Sequence, residues 1–314
     1  MDSDRQRVEQ ALLDAVTTPD AYLTEIASHL ISAGGKRLRP VFTLVAARVG
    51  TDGPASVDSI AGGIACELVH LGSLYHDDVM DESTTRRGVD TVNAKWGNLQ
   101  AILAGDFLLA RASEIAASLG TEIAALLART IGRLCEGQIE ELRHTYNVAR
   151  PVDSYLESIN GKTASLYSTA ARIGGLVAGH DRGVVEALTA YGTSYGMVFQ
   201  IVDDVLDLTA TDEQLGKPAG HDMEEGVYTL PVLHTLAAGG AAASELGSIL
   251  GKPLNEVERE KVLHIVRSNG GVDSAIARAK IFVDEAERAC DVLPRGEATD
   301  AMREATASLL ASVG

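Results

Sequence analysis

No proline falls between Pro54 and Pro151, and none between Pro151 and Pro218. Proline removes a backbone donor and clashes with the preceding turn, so proline-free stretches of this length permit long helices. Three segments fill them with Ala, Leu and Glu at helical spacing: LQAILAGDFLLARASEIAASL, TEIAALLARTIGRLCEGQIEEL and VDSYLESINGKTASLYSTAARIGGL. In each, apolar residues recur every three or four positions. Strands with period-two alternation bounded by turn signals are absent. No Gly/Ser/Pro-rich or like-charged linker divides the chain. The pattern predicts an all-α fold, one domain over 1–314, more irregular after Lys217. The alternative is two helical subdomains divided near Pro151.

Charge narrows the function. The 314 residues hold 27 Lys and Arg against 44 Asp and Glu, a formal net charge of −17. A nucleic-acid binder displaces counterions with cationic surface, and an anionic membrane repels a chain of this sign, so neither partner is expected. Cys66, Cys135 and Cys290 are far apart and form no CxxC pair. A disulfide framework or structural zinc site is not expected, and a reducing cytoplasm is. The start, MDSDRQRVEQ, has no apolar signal core. The longest uncharged stretch, 226–244, contains Pro231, His234 and a Gly-Gly pair, so no transmembrane segment is expected.

One internal echo carries the chemistry. HDDVMD at 76–81 and VDDVLD at 202–207 each place carboxylates at i, i+1 and i+4 in an apolar helical setting. With about 100° per residue, Asp77 and Asp81 share a helix face and Asp78 lies to the side. Asp203, Asp207 and Asp204 repeat the arrangement. Like charges at i, i+4 destabilise a helix by a few tenths of a kcal/mol, and nothing basic sits inside either motif. Two such copies imply an external cation. A few hard oxygen ligands able to share a phosphate suit Mg²⁺ held between protein and substrate. An EF-hand is excluded, because the loop glycine and distal glutamate are missing.

Such a site implies a polyanionic substrate, which directs attention to the scarce basic groups. GGKRLRP (34–40) sets Lys36 and Arg39 behind a glycine pair. Arg86-Arg87-Gly88 follows the first aspartate motif, and Lys162-Thr163 and Gly216-Lys217-Pro218 bracket the second. In this order, GGKRLRP, ELVHLGSLYHDDVMDESTTRRG, AILAGD, GKTASL, YGMVFQIVDDVLDL, LGKPAGHD and TLP resemble the trans-prenyltransferase family, the polyprenyl diphosphate synthases. The matching pieces span about two-thirds of the chain, and both aspartate motifs are free of insertions.

The resemblance implies an antiparallel helical bundle around a central cavity, usually in a homodimer, with the two DDxxD motifs facing each other. It implies that Asp77, Asp78, Asp81, Asp203, Asp204 and Asp207 hold Mg²⁺ on the diphosphate of an allylic substrate. Arg86, Lys162 and Lys217 would bind that diphosphate. Isopentenyl diphosphate would bind at Lys36, Arg39, His70 and Arg87. Helical geometry supports His70 independently: seven residues before Asp77, it falls about 20° from the same face. Lys162, Thr163 and Gln200 would set dipoles beside the developing cation, with Asp77 and Asp203 in the catalytic set. One departure is EEGVYTLP, with Val227 where many members carry a lysine.

In the family this chain resembles, short-chain farnesyl synthases often block the cavity with aromatics four or five residues before the first motif. Here those positions are Ser73 and Gly72, with Cys66 farther down. The expectation is a long apolar tunnel and a trans-polyprenyl diphosphate of about thirty carbons or more, with geranylgeranyl diphosphate the shorter alternative. A terpene cyclase would begin with the same ionisation but needs an aromatic-lined cavity, and aromatics are only 4% of the chain. A non-catalytic partner subunit would be expected to lose the aspartates or the GGKRLRP pocket, and both are present.

Overall fold

The computed structural model describes residues 2–51, 53–210 and 219–313. Among them the architecture is all-α apart from one two-stranded ribbon. The elements run α1 (Asp2–Val16), α2 (Ala21–Ser32), α3 (Leu38–Ala47), α4 (Val57–Met80), β1 (Thr85–Arg86), β2 (Val89–Asp90), α5 (Val92–Trp96), α6 (Asn98–Ser118) and α7 (Thr121–Arg143). They continue with α8 (Val152–Ile159), a π turn (Asn160–Ala164), α9 (Ser165–Val177) and α10 (Arg182–Thr209). The last elements are α11 (His221–Glu224), α12 (Leu230–Ala237), α13 (Gly240–Ile249), α14 (Glu256–Ser268), α15 (Gly271–Val292) and α16 (Glu297–Ala311).

The chain forms two compact units, each assembled from separated segments. The first comprises 1–131, 166–189 and 293–299; the second comprises 132–165, 190–292 and 300–314. The division is therefore not a single cut near Pro151.

In the first unit, α4 packs mainly on α6 and α3, with α1 and α2 alongside. Ser56 starts α4 by accepting the Ser59 amide, as an N-cap should. Leu68, Val69, Leu71 and Tyr75 are buried along α4, and the Tyr75 hydroxyl donates to the Ile26 carbonyl at 2.8 Å. Among the described helices α4 alone is long and apolar enough to cross a membrane; 67% of its most apolar window is buried inside the protein. The helix delivers the first aspartate motif at its C-terminal end.

The second unit packs α12 on α15, α13 and α8. Its core includes Tyr155, Ile159, Ile201, Val205, Leu230, Leu233, Val262 and Val266. Ile201 and Val205 come from α10 and are the apolar companions of the second aspartate motif. Asn255 and Glu258 close a reciprocal capping box at the start of α14.

Candidate active site

In the first unit the site begins at the last turn of α4. Asp77 is half-buried there, and the Asp81 amide donates to the Asp77 carbonyl at 2.8 Å, so the two aspartates are one turn apart as the spacing predicts. Asp81 is the C-cap and is exposed. Asp78 is buried. Its Oδ1 accepts from Arg86 Nε at 2.6 Å, while its Oδ2 is buried without a hydrogen bond. Burial pushes the Asp78 carboxyl up, opposed by the Arg86 guanidinium. Arg86 thus reaches the motif, but its Nε is engaged by Asp78.

The ribbon after the motif was not legible as strands. Thr85 pairs with Asp90 and Arg86 with Val89 across the two-residue turn Arg87-Gly88. Both turn residues have positive φ, 55° and 76°, the geometry of a type I′ hairpin. This tight turn sends neighbouring arginines apart. Arg86 goes to Asp78, whereas Arg87 Nη1 donates to the carbonyls of Leu30, at 3.0 Å, and Gly34.

Arg87 thereby meets the GGKRLRP loop. Lys36 is exposed. The Arg39 guanidinium lies 4.5 Å over the Tyr167 ring, and its Nε is buried without a hydrogen bond. Burial, with the guanidiniums of Arg39, Arg87, Arg86 and Arg37 around it, holds His70 well below its ordinary value. A neutral imidazole amid guanidiniums can donate a hydrogen bond to an anion without adding to the like charge already gathered there. Three contributors here escaped the sequence reading: Arg37, Glu67 and Glu9. A buried glutamate in the otherwise apolar run of α4 is the signal that could have exposed Glu67.

The chain-length positions divide. Ser73 is half-buried and donates to the His70 carbonyl at 2.8 Å. Cys66 is fully buried, which pushes its thiol up to about 12. Gly72 meets a neighbouring helix. A Cβ there would lie 3.0 Å from the Gly105 carbonyl oxygen and 3.3 Å from the Leu109 side chain, so this glycine permits the close approach of α4 and α6. Five residues from Asp77, it also lies about 140° around the helix.

In the second unit the site is a hydrogen-bonded chain. Thr163 Oγ1 donates to Gln200 Oε1 at 2.7 Å, and Gln200 Nε2 donates to Asp204 Oδ1 at 2.8 Å. The Tyr155 hydroxyl donates to the other oxygen of Asp204. Asp204 is buried; burial and nearby Asp222 drive its carboxyl well above the usual range, against the two donors. Asp203 is exposed and Asp207 is buried. Lys162 Nζ donates to Glu141 Oε1 at 2.7 Å. Tyr155 and Glu141 carried no motif signal in the sequence. Lys217 lies outside the described residues. Val227 is half-buried, and the backbone runs past it into Thr229, the N-cap of α12.

Lys162 and Thr163 sit in the π turn, a geometry that recurs at functional positions because it shifts side chains out of helical register. It is held by close backbone contact: a Cβ at Gly137 would lie 2.6 Å from the Lys162 nitrogen and 2.7 Å from the Ser158 oxygen.

Among the described residues no group of three or more His, Cys, Asp or Glu side chains converges to cage an ion alone. The carboxylates nevertheless fit a hard divalent cation that takes its remaining oxygens from water and substrate, and the orphaned, buried Asp78 Oδ2 is one donor oxygen left over.

Comparison with known proteins agrees with this chemistry. The family model described as Polyprenyl synthetase matches residues 20–266. Heptaprenyl diphosphate synthase component 2 of Geobacillus stearothermophilus is 39% identical over 305 residues, covering 97% of this chain and 94% of the relative. The crystal structure of a heptaprenyl diphosphate synthase from Staphylococcus aureus superposes with a TM-score of 0.92 at 32% identity, over 99% of this chain and 98% of that one. A polyprenyl synthase from Caulobacter crescentus, solved with calcium and isoprenyl diphosphate, gives 0.91 at 33% identity over 98% and 94%. With most of its length matched by the family model and nearly all of it by relatives above 30% identity, the chain belongs to the polyprenyl synthetase family and is a prenyltransferase.

Proposed function

We propose that the protein condenses isopentenyl diphosphate with an allylic diphosphate to build a trans-polyprenyl diphosphate of about thirty carbons or more. The observation that carries this is the same in both aspartate motifs. The middle aspartate is buried and held by fixed donors, Arg86 on Asp78, and Tyr155 and Gln200 on Asp204. The leading ones, Asp77 and Asp203, remain half-buried and exposed. Anchoring one carboxylate orients its neighbour.

The six aspartates would bind Mg²⁺, which supplies positive charge to the departing diphosphate. Arg86 and Lys162 add donors to that diphosphate, joined by Lys217. Lys36, Arg39 and Arg87, with neutral His70, bind isopentenyl diphosphate and hold its double bond for attack. The allylic C–O bond breaks with its electron pair going to diphosphate. A C–C bond forms from the isopentenyl double bond, and a proton leaves to the released diphosphate. Thr163 and Gln200 present oxygen dipoles to the positive charge that develops meanwhile.

The family match runs through segments of both compact units, which supports one synthase domain over 1–314. The three cysteines are free, in keeping with a cytoplasmic setting. On α6, Leu99, Ile102 and Leu103 are exposed side by side, and this apolar stripe would be covered in a homodimer. A second reading has an observation of its own: the Geobacillus relative is one component of a synthase, so this chain could require a partner subunit.

Incubating the purified chain with Mg²⁺, isopentenyl diphosphate and each allylic primer, then weighing products by mass spectrometry, tests both. Condensation by the chain alone refutes the partner-subunit reading. No condensation with any primer refutes autonomous synthase activity. A product of twenty carbons would establish the geranylgeranyl alternative.

A further inference from the structure

The loop that carries Lys36 and Arg39 is strained. Arg37 has φ 50°, a left-handed conformation uncommon for a residue with a side chain, and Gly34 also has positive φ, 88°. Such a conformation persists only where its surroundings over-determine it. The surroundings here are guanidinium contacts. Arg37 is 3% exposed. Its Nη2 donates to the Ile31 carbonyl at 2.8 Å and its Nη1 to the Gly34 carbonyl at 3.3 Å. Arg87 grips Gly34 and Leu30 from the hairpin.

Gathering Arg37 and Arg87 on one loop, with Arg39 and Arg86 also acting on His70, concentrates like charge. Glu9 answers it. Its two oxygens take Arg37 Nε and Nη2 at 2.9 Å each, the bidentate fork that fixes a guanidinium in both position and plane. Glu67 Oε1 approaches Arg37 Nη1 at 3.5 Å, and Glu67 Oε2 is buried without a hydrogen bond. Glu9 lies on α1, upstream of residue 20, where the family match begins. It is also 37% exposed at the side chain, so its own burial does little for the core.

We propose that Glu9 is a positioning residue for the isopentenyl diphosphate pocket: from the N-terminal helix it clamps Arg37, and through Arg37 the strained loop, so that Lys36 and Arg39 are preset for the diphosphate. Arg37 is then not a ligand but the pin between Glu9 and the loop. Lys36 and Arg39 stand one and two residues away, so a change in the φ or rotamer of Arg37 moves both. The inference rests on the substrate assignment proposed above for Lys36, Arg39, His70 and Arg87.

Glu9→Gln keeps the shape and removes the charge. In the full-length protein it should raise the calorimetric Kd for isopentenyl diphosphate, measured without allylic substrate, about tenfold, the size expected for losing a charge-assisted pair. KM for isopentenyl diphosphate should rise in parallel, while kcat and KM for the allylic primer stay within about twofold. Arg37→Lys should give the same selective loss, and adding Glu9→Gln to it should change nothing further. An unchanged affinity for isopentenyl diphosphate would overturn the proposal. So would a joint rise of both KM values with a lowered Tm, which marks general loosening. A wild-type protein that binds isopentenyl diphosphate but condenses nothing refutes the synthase reading and leaves the variant affinities to judge Glu9. One that does not bind it at all refutes both.

Discussion

Asp77 and Asp203 differ from their neighbours in exposure: Asp78 and Asp204 are buried under fixed donors, whereas Asp77 is half-buried and Asp203 exposed. Asp77→Asn or Asp203→Asn should each lower kcat by about 100-fold or more while leaving Tm nearly unchanged, checked by steady-state turnover at saturating Mg²⁺. His70 makes a different prediction. Its folded-state value is held well below the ordinary 6.5, so the unfolded chain takes up a proton that the folded protein refuses. The associated stability is complete above that ordinary value and is lost as pH falls below it. Melting curves between pH 7.5 and 5.5 should therefore decline less steeply in His70→Gln than in the wild type. Ser73 makes the third. Ser73→Phe should shorten the product, read by mass spectrometry, and unchanged length removes Ser73 from the tunnel wall. Gly72, whose absent Cβ is dictated by Gly105, is not an equivalent test, because a side chain there strikes a backbone oxygen first.

Helices were readable because their signals are local. Proline-free apolar periodicity lies within a few residues of what it specifies. The irregular elements that aim the chemistry were not. The hairpin at 85–90 is too short for alternation to register, and its turn holds Arg87 rather than the usual Asn or Asp. The π turn depends on Gly137 across the fold, which no window around Lys162 contains. Likewise the aspartates and basic clusters could be found from spacing, whereas Glu9, Glu141 and Tyr155 act through contacts far away in sequence. The π turn can be tested directly. Gly137→Ala forces a Cβ against two backbone atoms and should destabilise the protein by about 1–3 kcal/mol in urea unfolding. By displacing Lys162 it should also depress kcat, where an ordinary helix-surface alanine would not.

At the scale of the molecule, the exposed Leu99, Ile102 and Leu103 of α6 form an apolar surface that the proposed homodimer would cover. Leu103→Glu should shift sedimentation from dimer to monomer, and a wild type that sediments as a monomer rules the dimer out. The chain is anionic overall, with a net charge of −17, yet gathers guanidiniums around His70, the pocket proposed above for isopentenyl diphosphate. The alternation of segments between the two compact units has a consequence for how the chain is made. The first unit holds the first aspartate motif and the basic pocket, yet it also includes residues 293–299, where Leu293 and Thr299 are buried. Those residues are translated only after the whole of 190–292, which belongs to the second unit. The pocket-bearing half therefore waits for them, incomplete, and neither half can be cut out of the gene as one continuous piece.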